Sequence, residues 1–167
     1  AVFEDSAEWP VFTSNDDNAT FYYDEVNPFV NYFGNILESA FTTTGRRPAE
    51  QIIGMMDAPG DPRISIWFKQ ASGYDGWEGA ESGQEADNSG VSLLNKANLG
   101  DYASPYSHMK YDEVLFIFAE AIKRGWIDGG DALAEQYYND AVRASIRFWS
   151  DVNKTGNPVS ESTVERF

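Results

Sequence analysis

The chain contains no cysteine and only one histidine, His108, among its 167 residues. Without thiols, disulfides, thiolate metal centres and cysteine nucleophiles are all excluded. A single imidazole cannot build a multi-histidine metal site or supply a triad with a spare base. Basic residues are scarce as well: 12 Lys and Arg stand against 27 Asp and Glu, for a formal net charge of -15. Such a surface repels phosphate backbones and anionic headgroups, which argues against nucleic-acid binding and against membrane attachment through basic patches. No run approaches the roughly 18 apolar residues needed to span a bilayer, and residues 1–20 lack the basic start and apolar middle of a signal peptide.

Aromatic residues are abundant. Phe, Trp and Tyr make up 15% of the chain, within a hydrophobic share of 42%. That richness is foreign to disordered or low-complexity sequences, and the length suits one domain able to bury roughly 70% of its unfolded surface. Neutral sugars are not repelled by an acidic surface, and their C–H faces stack on aromatic rings.

Residues 1–26 mix aromatics (Phe3, Trp9, Phe12, Phe21, Tyr22, Tyr23) with Ser, Asn and Asp and keep no period, so an irregular, partly packed segment is expected. Asn27-Pro28 pairs a capping side chain with proline at a first helical position and predicts a helix through Phe29, Tyr32, Phe33, Ile36, Leu37 and Ala40. A shorter helix is expected from Pro48 through Ile52, Ile53 and Met56, stopped by Asp57-Ala58-Pro59-Gly60. The alternation in Ile64-Ser65-Ile66-Trp67-Phe68 predicts a strand. Residues 70–105, rich in Gly, Ser, Asp, Asn and Glu, read as one long loop carrying Tyr74 and Trp77.

The clearest element is a helical hairpin over Tyr111–Trp149. Tyr111, Val114, Leu115, Phe118, Ala121 and Ile122 recur at the helical period, as do Leu133, Tyr137, Tyr138, Ala141, Val142, Ser145 and Trp149. Gly125-Trp126-Ile127-Asp128-Gly129-Gly130 supplies the turn, and Ala119, Ala121, Ala141 and Ala144 permit close approach of the two backbones. After Gly156-Asn157-Pro158, the stretch from Ser160 to Glu165 has the signals of a helix start. A helix cut off within two turns is expected to bury no apolar face, which suggests a piece of a longer protein.

Residues 104–116, Ser-Pro-Tyr-Ser-His-Met-Lys-Tyr-Asp-Glu-Val-Leu-Phe, run on through Ala119-Glu120-Ala121 to Arg124-Gly125-Trp126-Ile127. They are followed by Tyr137-Tyr138-Asn139 and Arg143-Ala144-Ser145. This order resembles the signature of the SusD/RagB family of nutrient-binding outer membrane lipoproteins. Three further pieces agree: residues 10–23 are similar to its Ser-Asn-Asp-Asn-Ala stretch, Arg47-Pro48 to a helix start, and Asp61-Pro62-Arg63 to a turn. Lys110 and Asp112 depart from the smaller residues usual there, and the family's lipid-anchoring cysteine and first helices have no counterpart, as in a middle-to-late portion of the fold.

The resemblance implies a single, partial domain over residues 1–167 that is mainly α: a tetratricopeptide-like α-helical array with long irregular loops and one or two short strands. It implies a cell-surface protein that is no enzyme and needs no cofactor. Such a protein binds an oligosaccharide or other nutrient and passes it to a SusC-like TonB-dependent transporter in the outer membrane, the membrane being reached only through a lipid anchor outside this chain. A protein-binding helical scaffold without sugar affinity is the alternative.

Glu113 and Glu120 lie seven apart on one helix face, about 10.5 Å along its axis, beyond the ~5–9.5 Å of paired glycosidase carboxylates. Ion pairing, with Arg124 four residues after Glu120, is the expectation. His108 is expected at the surface, and Asn15-Asp16-Asp17-Asn18, like Asp57 and Asp61, in solvated turns rather than a calcium loop. The glycine-rich residues 73–90 lack the Lys-Ser/Thr ending of a phosphate loop. No catalytic or metal-binding residues are expected. Trp77, Tyr74 and Trp67 are the candidate ligand-binding residues, as aromatics on or beside a polar loop, whereas Trp9, Trp126 and Trp149 are expected in the core.

Overall fold

In the computed structural model, residues 11–32, 47–83 and 89–167 are described. In chain order the elements are a 3-10 turn at Asn15–Asp17, strand β1 (Ala19–Phe21), helices α1 (Glu50–Asp57) and α2 (Ile64–Trp67), and strands β2 (Phe68–Lys69) and β3 (Leu93–Leu94). Helix α3 (Lys96–Leu99), strand β4 (Tyr106–Met109) and helices α4 (Tyr111–Lys123), α5 (Gly130–Asp151) and α6 (Glu161–Val164) follow. The protein is therefore mainly helical, and among the described residues its strands form two antiparallel pairs, β1 with β4 and β2 with β3. Among the described residues no helix is long and apolar enough to cross a membrane. Contacts group the chain into two compact units, one of residues up to Phe21 with Tyr106–Phe148 and Ser160–Phe167, the other of Tyr22–Pro105 and Trp149–Val159.

The first unit contains the expected hairpin. Leu115, Ala119, Ala121 and Ile122 of α4 are buried, as are Ala134, Ala141, Ala144 and Ile146 of α5. All four alanines read as close-approach positions are thus inside, and Leu115, Ala141 and Ala144 form a core against Tyr111 and Tyr137. Helix α4 has no cap from its own preceding residue; instead Asn18 Oδ1 accepts from the Tyr111 backbone N–H at 2.6 Å. The segment that reaches it is itself capped, with Ser14 and Asp17 in a reciprocal capping box and Asn15 Nδ2 donating to the Ala144 carbonyl at 3.0 Å. The acidic stretch read as a solvated turn is thus a turn whose two asparagines tie the chain to both helices.

The turn between the helices forms because Gly125 adopts φ 71°. Its N–H donates to the Ile122 carbonyl and that of Trp126 to the Ala121 carbonyl, the pattern in which a left-handed glycine satisfies a helix's last acceptors. That placement corrects the core reading of Trp126: the residue two past the helix cap points outward, 68% exposed, with the Arg124 guanidinium 5.0 Å from its ring. Tyr138, placed on the inner stripe by periodicity, is 55% exposed. Helix α6 corrects the expectation that so short a helix buries no apolar face. Ser160 Oγ accepts from the Thr163 N–H, Val164 is 1% exposed, and Arg147 of α5 grips Glu161 at 2.9 Å and Glu165 at 2.6 Å.

The second unit corrects two boundaries. Asn27-Pro28 lies in a turn rather than at a helix start: Asp24 Oδ1 accepts from the Val26 N–H, and the Phe29 N–H donates to the Val26 carbonyl. The stripe from Phe33 to Ala40 lies outside the described residues, as do Phe3 and Trp9. Ile64-Ser65-Ile66-Trp67 forms a single helical turn, and the strand begins only at Phe68. Buried Asp61 is the cause. Its carboxylate accepts from the backbone and guanidinium of Arg63, and its carbonyl accepts from the Ile64 N–H, so the Asp-Pro-Arg turn starts a helix. The alternation survives as burial, with Ile64, Ile66 and Phe68 inside and Ser65 outside. Helix α1, as expected, buries Ile53 and Met56.

Candidate functional site

The stretch expected to be one long loop is built on several fixed points. Its two limbs pair through β2 and β3, with Phe68 opposite Leu94 and Lys69 opposite Leu93. Ala80 exchanges backbone bonds with Pro48 and Glu50, and Glu78 with Ser92, whose hydroxyl also accepts from the Glu78 N–H. Behind the loop, Asn98 is buried and its amide donates to the Ile66 carbonyl, Asn153 Oδ1 and Thr155 Oγ1, while its Oδ1 accepts from the Lys154 N–H at 2.7 Å. The loop is therefore held by paired backbone rather than by length of chain alone.

On this frame the three aromatics differ. Trp67 and Trp77 are half-buried, both packed against the cluster of Ile53, Met56, Ile64 and Phe68. Trp67 also meets Trp149 edge-on at 5.3 Å and Phe68 at 6.4 Å, with the Arg63 guanidinium 5.5 Å from its ring centre. Its indole N–H is buried with no hydrogen-bond partner among the described residues. Tyr74 is 53% exposed and lies over Gly90, where a Cβ would approach the ring to 2.9 Å. The structure thus brings Trp67 and Trp77 to one apolar cluster and places Tyr74 at the loop surface, across from the returning limb.

A second feature escaped the sequence reading. A groove of about 590 Å³ runs along the hairpin, with Ala119 and Ala134 as floor and Phe116 and Tyr138 as walls, their rings edge-to-face at 5.4 Å. Glu120, Lys123, Asp131 and Glu135 rim it, and Lys123 pairs with Asp131 at 2.8 Å. Phe116, Glu120 and Lys123 follow the helical period on a second face of α4, a signal that was present in the sequence. Glu120 itself pairs with Arg124 at 2.5 Å, as expected, and Glu113 lies 3.9 Å from Lys110. Burial raises the Tyr111 phenol above its ordinary pKa, helped by the nearby Asp140 carboxylate.

Residues 1–165 match a SusD-like family model described as "Starch-binding associating with outer membrane". No curated protein matches. Among solved structures, a chitin-binding protein shares the fold with a TM-score of 0.77 at 23% identity, covering 96% of this chain and 37% of its own. A SusD homologue of Bacteroides fragilis NCTC 9343 gives 0.73 at 24% identity, over 89% of this chain and 35% of its own. An outer membrane protein of Bacteroides vulgatus ATCC 8482, described in terms of nutrient binding, gives 0.72 at 25% identity over 88% and 35%. The chain therefore spans little more than a third of the length of these structures. With the family model matched almost end to end and the same helical fold found in its solved members, the chain belongs to the SusD-like family.

Proposed function

We propose that this chain is part of a cell-surface protein that binds glycans or similar nutrients, without transforming them, and delivers them to a SusC-like TonB-dependent transporter in the outer membrane. The match of residues 1–165 to a family model described as starch-binding carries the reading. The acidic, aromatic-rich composition supports it, because a neutral sugar meets no electrostatic penalty and stacks on exposed rings. Trp77 and Tyr74 are the proposed contact surface. Trp67, packed with Trp77 against the same apolar cluster, is the third proposed contact residue.

Tryptophan fluorescence during titration with starch-type, chitin-type and other oligosaccharides, and with peptides, tests the reading. Saturable change with at least one glycan is expected, and Trp77→Ala should weaken it about tenfold, the loss of one stacked ring. A flat response across the panel contradicts it. The hairpin groove favours a second reading, a scaffold that takes only protein: its apolar floor between aromatic walls suits a partner side chain. Co-purification of a transporter barrel by a protein with no sugar affinity would select that reading.

A further inference from the structure

The antiparallel ribbon of β1 and β4 has two unlike faces. Thr20 stands directly opposite Ser107, and their hydroxyls bond across the ribbon at 2.8 Å on the half-buried face. Phe21 stands opposite Tyr106, one residue along each strand and therefore on the other face, where the two are 46% and 52% exposed. Ala19 pairs with Met109 while Thr20 pairs with Ser107, so His108 is the extra residue of a bulge, a device that re-aims a side chain. It turns the exposed imidazole against Tyr106, ring centres 4.9 Å apart and planes at 84°. The outcome is a corner of two perpendicular rings with a third ring beside it, held by a fixed register.

We propose that Phe21, Tyr106 and His108 form a stacking site for a neutral pyranose, separate from the loop aromatics; this rests on the glycan-binding reading. The charge pattern selects the ligand. Neither Ala19–Phe21 nor Tyr106–Met109 contains an acidic residue, although the chain carries 27 Asp and Glu, so the ribbon is a neutral aromatic area within an anionic surface. A sugar's C–H face lies on one ring while its hydroxyls reach the Tyr106 phenol and an imidazole nitrogen.

His108 is the only histidine in the sequence, so its ring Cε1–H resonance reports on the site without assignment. Maltoheptaose and chitohexaose, titrated into the full chain with heats recorded in parallel, should move that resonance saturably, with the same midpoint as the heat. Tyr106→Ala should weaken this binding about tenfold and Phe21→Ala severalfold, whereas Tyr106→Phe keeps the ring and most of the affinity. Saturable heat with a stationary histidine signal and unchanged affinity in Tyr106→Ala would overturn the ribbon site while leaving the glycan reading intact. Absence of heat with both glycans would overturn the ribbon site, and a flat fluorescence response across the wider panel would take the glycan reading with it. A histidine signal that shifts on dilution alone would show the ribbon covering a second copy, and would also overturn the proposal.

Discussion

Asn98 is 4% exposed and serves four partners on two separate stretches of chain: the Ile66 carbonyl, and Asn153, Lys154 and Thr155. Asn98→Ala strands a buried carbonyl and a backbone N–H that no smaller side chain can reach. Loss of about 3 kcal/mol in urea unfolding is expected, with an unchanged slope. Nothing in the sequence marks this asparagine among its polar neighbours, because hydrogen-bond satisfaction over 55 residues leaves no periodic trace. The Thr13 backbone N–H, then its hydroxyl and the Ser14 N–H, hold the Asp17 carboxyl below its ordinary value of 3.8, and the Arg147 guanidinium does the same to Glu161, ordinarily 4.5. A depressed folded pKa means stabilisation fully present above those ordinary values and lost as pH falls through the folded ones. The urea midpoint should therefore drop as pH falls below about 4, and Asp17→Asn should show a shallower acid limb. Identical acid limbs would contradict this origin.

Elements were legible where one period dominates. The α4–α5 hairpin follows from its stripes, its alanines and Gly125, since burial of a helical face needs little help from elsewhere. Ile64–Phe68 shows the limit. Alternating burial is compatible with a strand or with one helical turn, and the choice was made by the Asp61 carboxylate and carbonyl, three residues upstream. Asn27-Pro28 failed likewise, because a local Asp24 turn competes with a helix start. Close approach is equally invisible to pattern. Gly79 lies so near α1 that a Cβ there would overlap the backbone of Glu50 and Ala49. Gly79→Ala should therefore cost about 1–3 kcal/mol by pushing the loop off the helix, whereas Gly54→Ala, which meets open space, should be neutral to stabilising by up to about 1 kcal/mol. Equal thermal midpoints for the two variants would refute the contact.

At the scale of the whole molecule, the order of motifs from Ser104 to Ser145 points to the family, and the match over residues 1–165 agrees. The aromatic surfaces were less legible. Composition announced an aromatic-rich protein, yet tertiary packing decides which rings face water: Trp67 and Trp77 turn toward a core, while Trp126, Tyr106 and Tyr138 turn out. A net charge of -15 sends the native protein rapidly toward the anode, which makes affinity electrophoresis the most direct test of glycan capture. In gels cast with starch, chitin-type or related soluble polysaccharides, at least one is predicted to retard the chain relative to a non-binding marker, with added oligosaccharide restoring its mobility. Unchanged mobility in every gel would contradict the account.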